Sequence, residues 1–294
     1  MERITTISEA FEQYRTDVIV YRGQSKRTEE MHRLALKAFL EFLPDCKLSE
    51  LTFQHVRDWK EHLEKTRGGN TVRGYIIKLR VVLQHAKRMG YECLDPEIIG
   101  IPKRSVVPVS FITPQEVDQL IEAVSRPSAG YPRVNLYRNA AVISLLYASG
   151  IRVSELCALN RLDIREDNTF TVVGKGCKAR LCFIDDRTSI LLHKYFRLRD
   201  DNDPALLLSD NTGKRISVGT VQEVFRVARR KAGFTKPIHP HTMRHSFATN
   251  LLRNNTNLMY VKEFLGHASV QTTEMYLHTT NEDLRVIYLQ KHTI

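Results

Sequence analysis

Between His239 and Tyr276 the chain reads HPHTMRHSFATNLLRNNTNLMYVKEFLGHASVQTTEMY, a stretch rich in residues able to handle an anion. His241 and Arg244 stand three apart on what reads as one helix, so their side chains project from one face. The planar guanidinium suits phosphate or carboxylate. His267 follows in a Leu-Gly-His turn, and Tyr276 comes nine residues later. Three cation-capable side chains and a phenol within 36 residues could surround a single phosphate. The same spacings also fit helix caps and pairs with acids. Position alone does not single out Tyr276 among eleven tyrosines; Tyr260 lies inside an apolar run and reads as core, and Tyr288 falls on the last helix.

Further candidates lie upstream. Arg152 follows Ser149-Gly150 at the end of an apolar helix, where it could point into a cleft from a helix N-terminus. Glu155, three residues on, could orient its guanidinium; an ordinary surface ion pair has the same spacing. Lys175 sits between two glycines at a hairpin tip, placed either to deliver an ammonium into a site or simply to face solvent.

These residues need a scaffold, and the sequence supplies two helical blocks. Up to about residue 99, apolar positions recur at helical spacing: Ile7, Phe11, Tyr14 and Val18 in 6–20; Met31, Leu34, Ala35, Ala38, Phe39 and Phe42 in 28–43; and Leu51, Val56, Trp59 and Leu63 in 49–65, with Ser49 as N-cap. After Gly68-Gly69 a fourth helix starts at Asn70-Thr71 and runs toward Gly90. This predicts a four-helix module over 1–99. Residues 100–112, with two prolines and no helical period, read as a linker. The second domain, 113–294, opens on Thr113-Pro114-Gln115-Glu116, which has the form of a capping box with proline at the first helical position. It continues with an apolar helix over 135–149 ending at Gly150, a short helix from Arg152, a β-hairpin over 170–184 around Gly-Lys-Gly, and helices at 186–198, 218–233 and through 240–289. The fold class expected is mainly α with one small antiparallel sheet.

The 294 residues carry a formal net charge of +11, which favours a polyanionic partner. From Lys65 to Tyr91 there are seven basic residues and no acid, so Arg67, Arg73, Lys78, Arg80, Lys87 and Arg88 are candidate DNA contacts; a merely exposed face would look similar. Neither a signal core nor an apolar run of about 20 residues occurs, so no membrane partner and a cytoplasmic location are expected. Cys46, Cys93, Cys157, Cys177 and Cys182 form no C-x-x-C pair and indicate neither a zinc site nor a disulfide scaffold.

In order, Arg152-x-x-Glu155, Lys175 in GKGxKxR, His241-x-x-Arg244-His245, Leu265-Gly266-His267 and Tyr276 closely resemble the tyrosine recombinase, or phage integrase, family. ALN at 158–160 and HSFAT at 245–249 resemble it too, and likeness covers nearly the whole chain. Met243 replaces the usual leucine, and His267 is a histidine as in Xer-type members, not the tryptophan of some relatives. The resemblance implies a SAM-like core-binding domain followed by a mixed α/β catalytic domain. It implies a site-specific recombinase that needs no metal, ATP or other cofactor, with Tyr276 as nucleophile and Arg152 and Arg244 as the phosphate clamp. Lys175, with Lys178 as a rival, would be the general acid; His241 would move the tyrosine's proton and His267 would bond the phosphate. Glu155 would support its neighbours, as would His239 and His245. Partners implied are duplex DNA with inverted core repeats, three further copies in a homotetramer, and a heteromeric recombinase or accessory proteins. The helix over 281–289, with Leu284, Ile287 and Tyr288 on one face, would dock into a neighbouring protomer. With no additional N-terminal arm-binding domain in view, the Xer or resolvase type is expected. The alternatives are a type IB topoisomerase-like enzyme and a DNA-binding accessory protein that has lost catalysis.

Overall fold

The structure, a computed structural model, describes residues 6–105, 111–127, 129–174 and 178–266. The expectations for Lys175, Cys177, His267, Tyr276 and the helix at 281–289 fall outside these residues. The chain divides into two compact units, Met1–Val107 and Pro108–Ile294.

The first unit holds α1 (Ile7–Tyr14), α2 (Lys26–Leu40), α3 (Phe53–Thr66) and α4 (Gly69–Arg88). The period seen over 6–20 is not one α-helix: the backbone widens into a π-helical turn over Arg15–Val20. The third helix is capped by Thr52, whose hydroxyl accepts from His55 N–H at 3.3 Å, not by Ser49. Ser49 lies in a 3-10 turn between the buried Leu48 and Leu51, and burying those two side chains displaces the helix start. Similarly α4 begins at Gly69, one residue before the expected Asn70. The core centres on Trp59, fully buried, edge-on to Phe39 at 5.1 Å and donating its indole N–H to Ala38 O. A buried Trp that satisfies its one donor adds apolar area without an unpaired polar group.

In the second unit α5 (Pro114–Ser125) has its full capping box: Thr113 Oγ1 accepts from Glu116 N–H and Glu116 Oε2 from Thr113 N–H. Its neighbour α6 (Arg133–Ser149) is buried on nearly every face, which is why its sequence is apolar without a stripe. It packs against α5, α8 (Asp186–Phe196), α9 (Val218–Lys231) and α10 (Pro240–Arg253). Between the short α7 (Val153–Ala158) and α8 lies the two-stranded antiparallel sheet β1 (Thr169–Val173) and β2 (Ala179–Phe183), paired from Thr169↔Phe183 to Val173↔Ala179. Phe170, Val172 and Cys182 point into the core.

The helical expectation over 240–289 breaks once within the described residues. Asn255 adopts φ +58°, and Asn257 caps a separate α11 (Leu258–Leu265). Because α11 turns Val261 and Leu265 inward, Tyr260 faces outward and is 66% exposed; it is not core. No described helix is long and apolar enough to cross a membrane.

Gly150 ends α6 at φ +61°, and a Cβ there would lie 2.4 Å from Phe247 Cδ1. Left-handed backbone costs an L-residue about 1–2 kcal/mol, and overpacking a well-filled site costs about 1–3 more. Gly150→Ala is therefore expected to destabilise the second unit by about 2–5 kcal/mol, read as a lower denaturant midpoint at unchanged slope.

Candidate active site

Arg152 is placed by a very short helix. Six residues of α7 cannot hold themselves helical in water; both ends are pinned from outside. At the start Arg152 is the N-cap, and Glu155 accepts from Arg152 N–H at 2.7 Å and from its Nη1 at 2.8 Å. At the end Arg215 Nη1 donates to the carbonyls of Cys157, Ala158 and Leu159, while its Nη2 donates to Asn160 Oδ1 at 2.6 Å. The Ala-Leu-Asn motif is thus a helix terminus held by an arginine from a distant loop.

Arg152 with Glu155 is no ordinary surface pair. The Glu155 side chain is 7% exposed, and Arg180 from β2 donates Nη1 and Nη2 to its two oxygens at 3.0 and 2.6 Å. Burial alone would raise this carboxyl, but the bonds from Arg180 and from Arg152 outweigh it and bring it down to about 2. Its ordinary value is 4.5. A carboxyl depressed on folding contributes stability that is complete above its unfolded value and fades as pH falls through the folded one. From about 4.5 down to about 2 the second unit is expected to lose on the order of 3 kcal/mol through this group. Glu155→Gln should flatten that part of a stability-versus-pH curve measured by denaturant titration.

Arg244 projects from α10, whose N-terminus combines His239 as N-cap with Pro240 at the first helical position. It is 4% exposed, and the two ends of its fork hold backbone carbonyls on separate elements: Nη1 bonds Gly150 O at 2.7 Å and Nη2 bonds Leu265 O at 2.6 Å. One side chain thus ties the turn before Arg152 to the end of α11, two residues short of His267. His241, one turn earlier on α10, is exposed. His239 meets it edge-on at 6.3 Å, and His245 is buried.

The hairpin also leads to this place. Gly174 closes its tip by donating its N–H to Lys178 O at 2.9 Å. A Cβ on Gly174 would stand 3.6 Å from Arg152 Nη1, so the residue before Lys175 abuts the arginine cluster. Burial holds the Cys182 thiol up at about 11, which keeps it protonated beside the arginines. Among the described residues, three guanidiniums (Arg152, Arg180, Arg244) and one carboxylate (Glu155) meet here, so the cluster carries a net positive charge suited to an anion. Arg180 and Arg215 were missed as site residues by the sequence reading; the last letter of GKGxKxR was the available signal for Arg180.

Among the six candidate DNA contacts of the first unit, Arg80 and Lys87 are engaged in ion pairs. Arg80 Nη2 bonds Glu97 Oε2 at 2.5 Å and its Nη1 bonds Ile99 O, while Lys87 Nζ bonds Asp95 Oδ1 at 2.9 Å. Downstream acids fold back onto α4 and neutralise part of what reads as a one-sign stretch. Arg67 and Arg88 are exposed, and Arg73 and Lys78 are half-buried.

Residues 110–283 match the phage integrase family, and residues 5–98 match the phage integrase SAM-like domain. Tyrosine recombinase XerD of Staphylococcus epidermidis is 31% identical over 293 residues, spanning 96% of this chain and 97% of the relative. XerD of Bifidobacterium longum is 30% identical, over 96% of each chain. Among solved structures, XerA recombinase is 26% identical and covers 98% of this chain and 99% of its own at a TM-score of 0.54. The Tn1549 transposon integrase, solved with a circular intermediate DNA, superposes better at 0.79 over 97% and 99% but is 17% identical, a likeness of fold. A lambda integrase dimer on a COC′ core site reaches 0.76 at 20% identity, over 92% of this chain and 77% of its own.

Proposed function

The chain belongs to the phage integrase family of tyrosine recombinases, and from that membership we infer a site-specific DNA recombinase whose site is assembled around Arg152 and Arg244. The observation that carries the assignment of residues is the Arg244 bond to Gly150 O, which brings two arginines far apart in sequence to one place.

The Tyr276 hydroxyl attacks the scissile phosphorus. A tyrosyl O–P bond forms as the P–O5′ bond breaks, leaving a 3′-phosphotyrosyl link and a free 5′-hydroxyl. His241 takes the phenol's proton and Lys175 supplies one to the departing 5′-oxygen. Arg152 and Arg244 stabilise the charge that builds on the non-bridging oxygens, and His267 adds a hydrogen bond. A free phenol titrates near 10, and surrounding cations favour its anion. The covalent link conserves the bond energy, so rejoining needs no ATP and no metal. Arg67, Arg73, Lys78 and Arg88 are the proposed DNA contacts of the first unit, with Arg80 and Lys87 partly withdrawn into ion pairs.

The enzyme acts on duplex DNA in the cytoplasm, at paired core sites of inverted repeats. Two duplexes each cut at two places require four protomers, so the proposed assembly is a homotetramer on DNA. The segment 281–289 reaches a neighbouring protomer within it. The DNA complexes solved for the Tn1549 and lambda integrases support the DNA-binding part of this reading.

A supercoiled plasmid carrying two copies of the core site, located by footprinting the DNA flanking the gene, tests this reading. Recombinant circles that depend on both sites are expected. Efficient relaxation of a plasmid lacking any core site would instead identify a type IB topoisomerase-like enzyme.

A further inference from the structure

Arg180 lies outside the proposed phosphate clamp, yet its donor nitrogens go to the helix that Arg152 caps and to the end of α11, where Arg244 holds the next carbonyl. Nη1 and Nη2 take the two oxygens of Glu155, at 3.0 and 2.6 Å, and Nε donates to Phe264 O at 3.0 Å. Its side chain is 8% exposed and that of Glu155 7%, so the guanidinium is spent inside the protein.

Three features converge on it. Arg152 Nη1 shares Glu155 Oε1 with Arg180, at 2.8 Å. Phe264 O is the carbonyl next to Leu265 O, which Arg244 holds, so two arginines from different elements grip consecutive peptides at the end of α11. Gly266 follows at φ +61°, and a Cβ there would come 2.9 Å from Arg180 Cδ; both its conformation and this contact call for glycine. A carboxylate and a carbonyl bonded by one rigid fork cannot be matched by an ammonium.

We propose that Arg180 is the positioning residue of this active site: through Glu155 it aims the Arg152 guanidinium at the phosphate, and through Phe264 O it fixes the end of α11 from which residue 267 follows. It touches neither the reacting phosphate nor the nucleophile. The proposal rests on the phosphotyrosyl reading above.

The test uses the full-length protein and nicked duplexes carrying the core site. One duplex has the natural phosphodiester at the cleaved linkage. The other has a methylphosphonate there, which removes the negative charge that Arg152 would neutralise. Single-turnover cleavage and DNA Kd are measured for wild type, Arg180→Gln and Arg180→Lys. On the phosphodiester both variants are expected to cleave about 10²-fold more slowly, the loss typical of a site misplaced by about 1 Å, with Kd unchanged. On the methylphosphonate the deficit should shrink to less than about tenfold, since the group being misaimed has less charge to meet. An equal deficit on both linkages means a general weakening of the fold and overturns the proposal, as does cleavage at the wild-type rate. If Arg180→Gln fails to fold, Glu155→Gln, which keeps the side-chain shape, carries the same expectations. Tyr276→Phe on the phosphodiester reports separately on the underlying reading, because adducts that survive it refute the nucleophile whatever Arg180 does.

Discussion

Tyr276→Phe is expected to abolish covalent protein–DNA adducts on a nicked core-site duplex while leaving DNA affinity nearly unchanged. The substitution removes one oxygen. If that oxygen is the nucleophile, cleavage falls on the order of 10⁴–10⁶-fold, the range found when an enzyme loses its attacking group. Binding is spread over many phosphate contacts and responds little to one neutral hydroxyl. The proper control is Tyr260→Phe, because Tyr260 is an exposed phenol only 16 residues earlier in the sequence. Its removal should leave adduct formation intact.

Arg244→Ala is expected to produce the second largest loss, for two separable reasons. Removing one preorganised donor from the developing charge costs about 10²–10³ in rate. The same substitution leaves Gly150 O and Leu265 O without their charged donor, and each such bond contributes about 1.5–3 kcal/mol. The variant should therefore be destabilised by about 3–6 kcal/mol and cleave about 10²–10³-fold more slowly even where it remains folded. Arg244→Lys keeps the charge but has one nitrogen where the native fork spans two carbonyls, so it should recover little of either. Full stability in Arg244→Ala, from denaturant unfolding, would contradict the tie between the two turns.

The sequence made the helices legible wherever one face meets a core. Apolar spacing and a Thr or Ser cap identify α5 and α9 closely, because those features are themselves the cause of the helices. It misled where a tertiary contact competes with a local rule. Ser49 and Thr52 are equally good caps in isolation, and burial of Leu48 and Leu51 decides for Thr52. The period over 6–20 runs smoothly through a stretch where the backbone turns π-helical. Tyr260 sits among apolar residues in sequence but one position round from the inward Val261.

Within the site, Arg152 and Glu155 were readable as neighbours from their i,i+3 spacing, but the burial that makes the pair structural depends on Arg180, 25 residues on. Spacing within one helix cannot reveal a contact made across a hairpin. The sequence likewise gives no sign that Asp95 and Glu97 return to Lys87 and Arg80 from beyond α4.

The proposed mechanism bonds Tyr276 to the 3′ side of the cut. Trapping wild-type protein on a nicked core-site duplex, digesting it with trypsin and sequencing the nucleotide-bearing peptide by mass spectrometry measures this directly. The expected result is a single modified peptide, phosphorylated on Tyr276 and linked to a 3′ end, with a free 5′-hydroxyl on the released strand. A link on Tyr260 or any other residue, or a 5′-phosphoryl attachment, would contradict it.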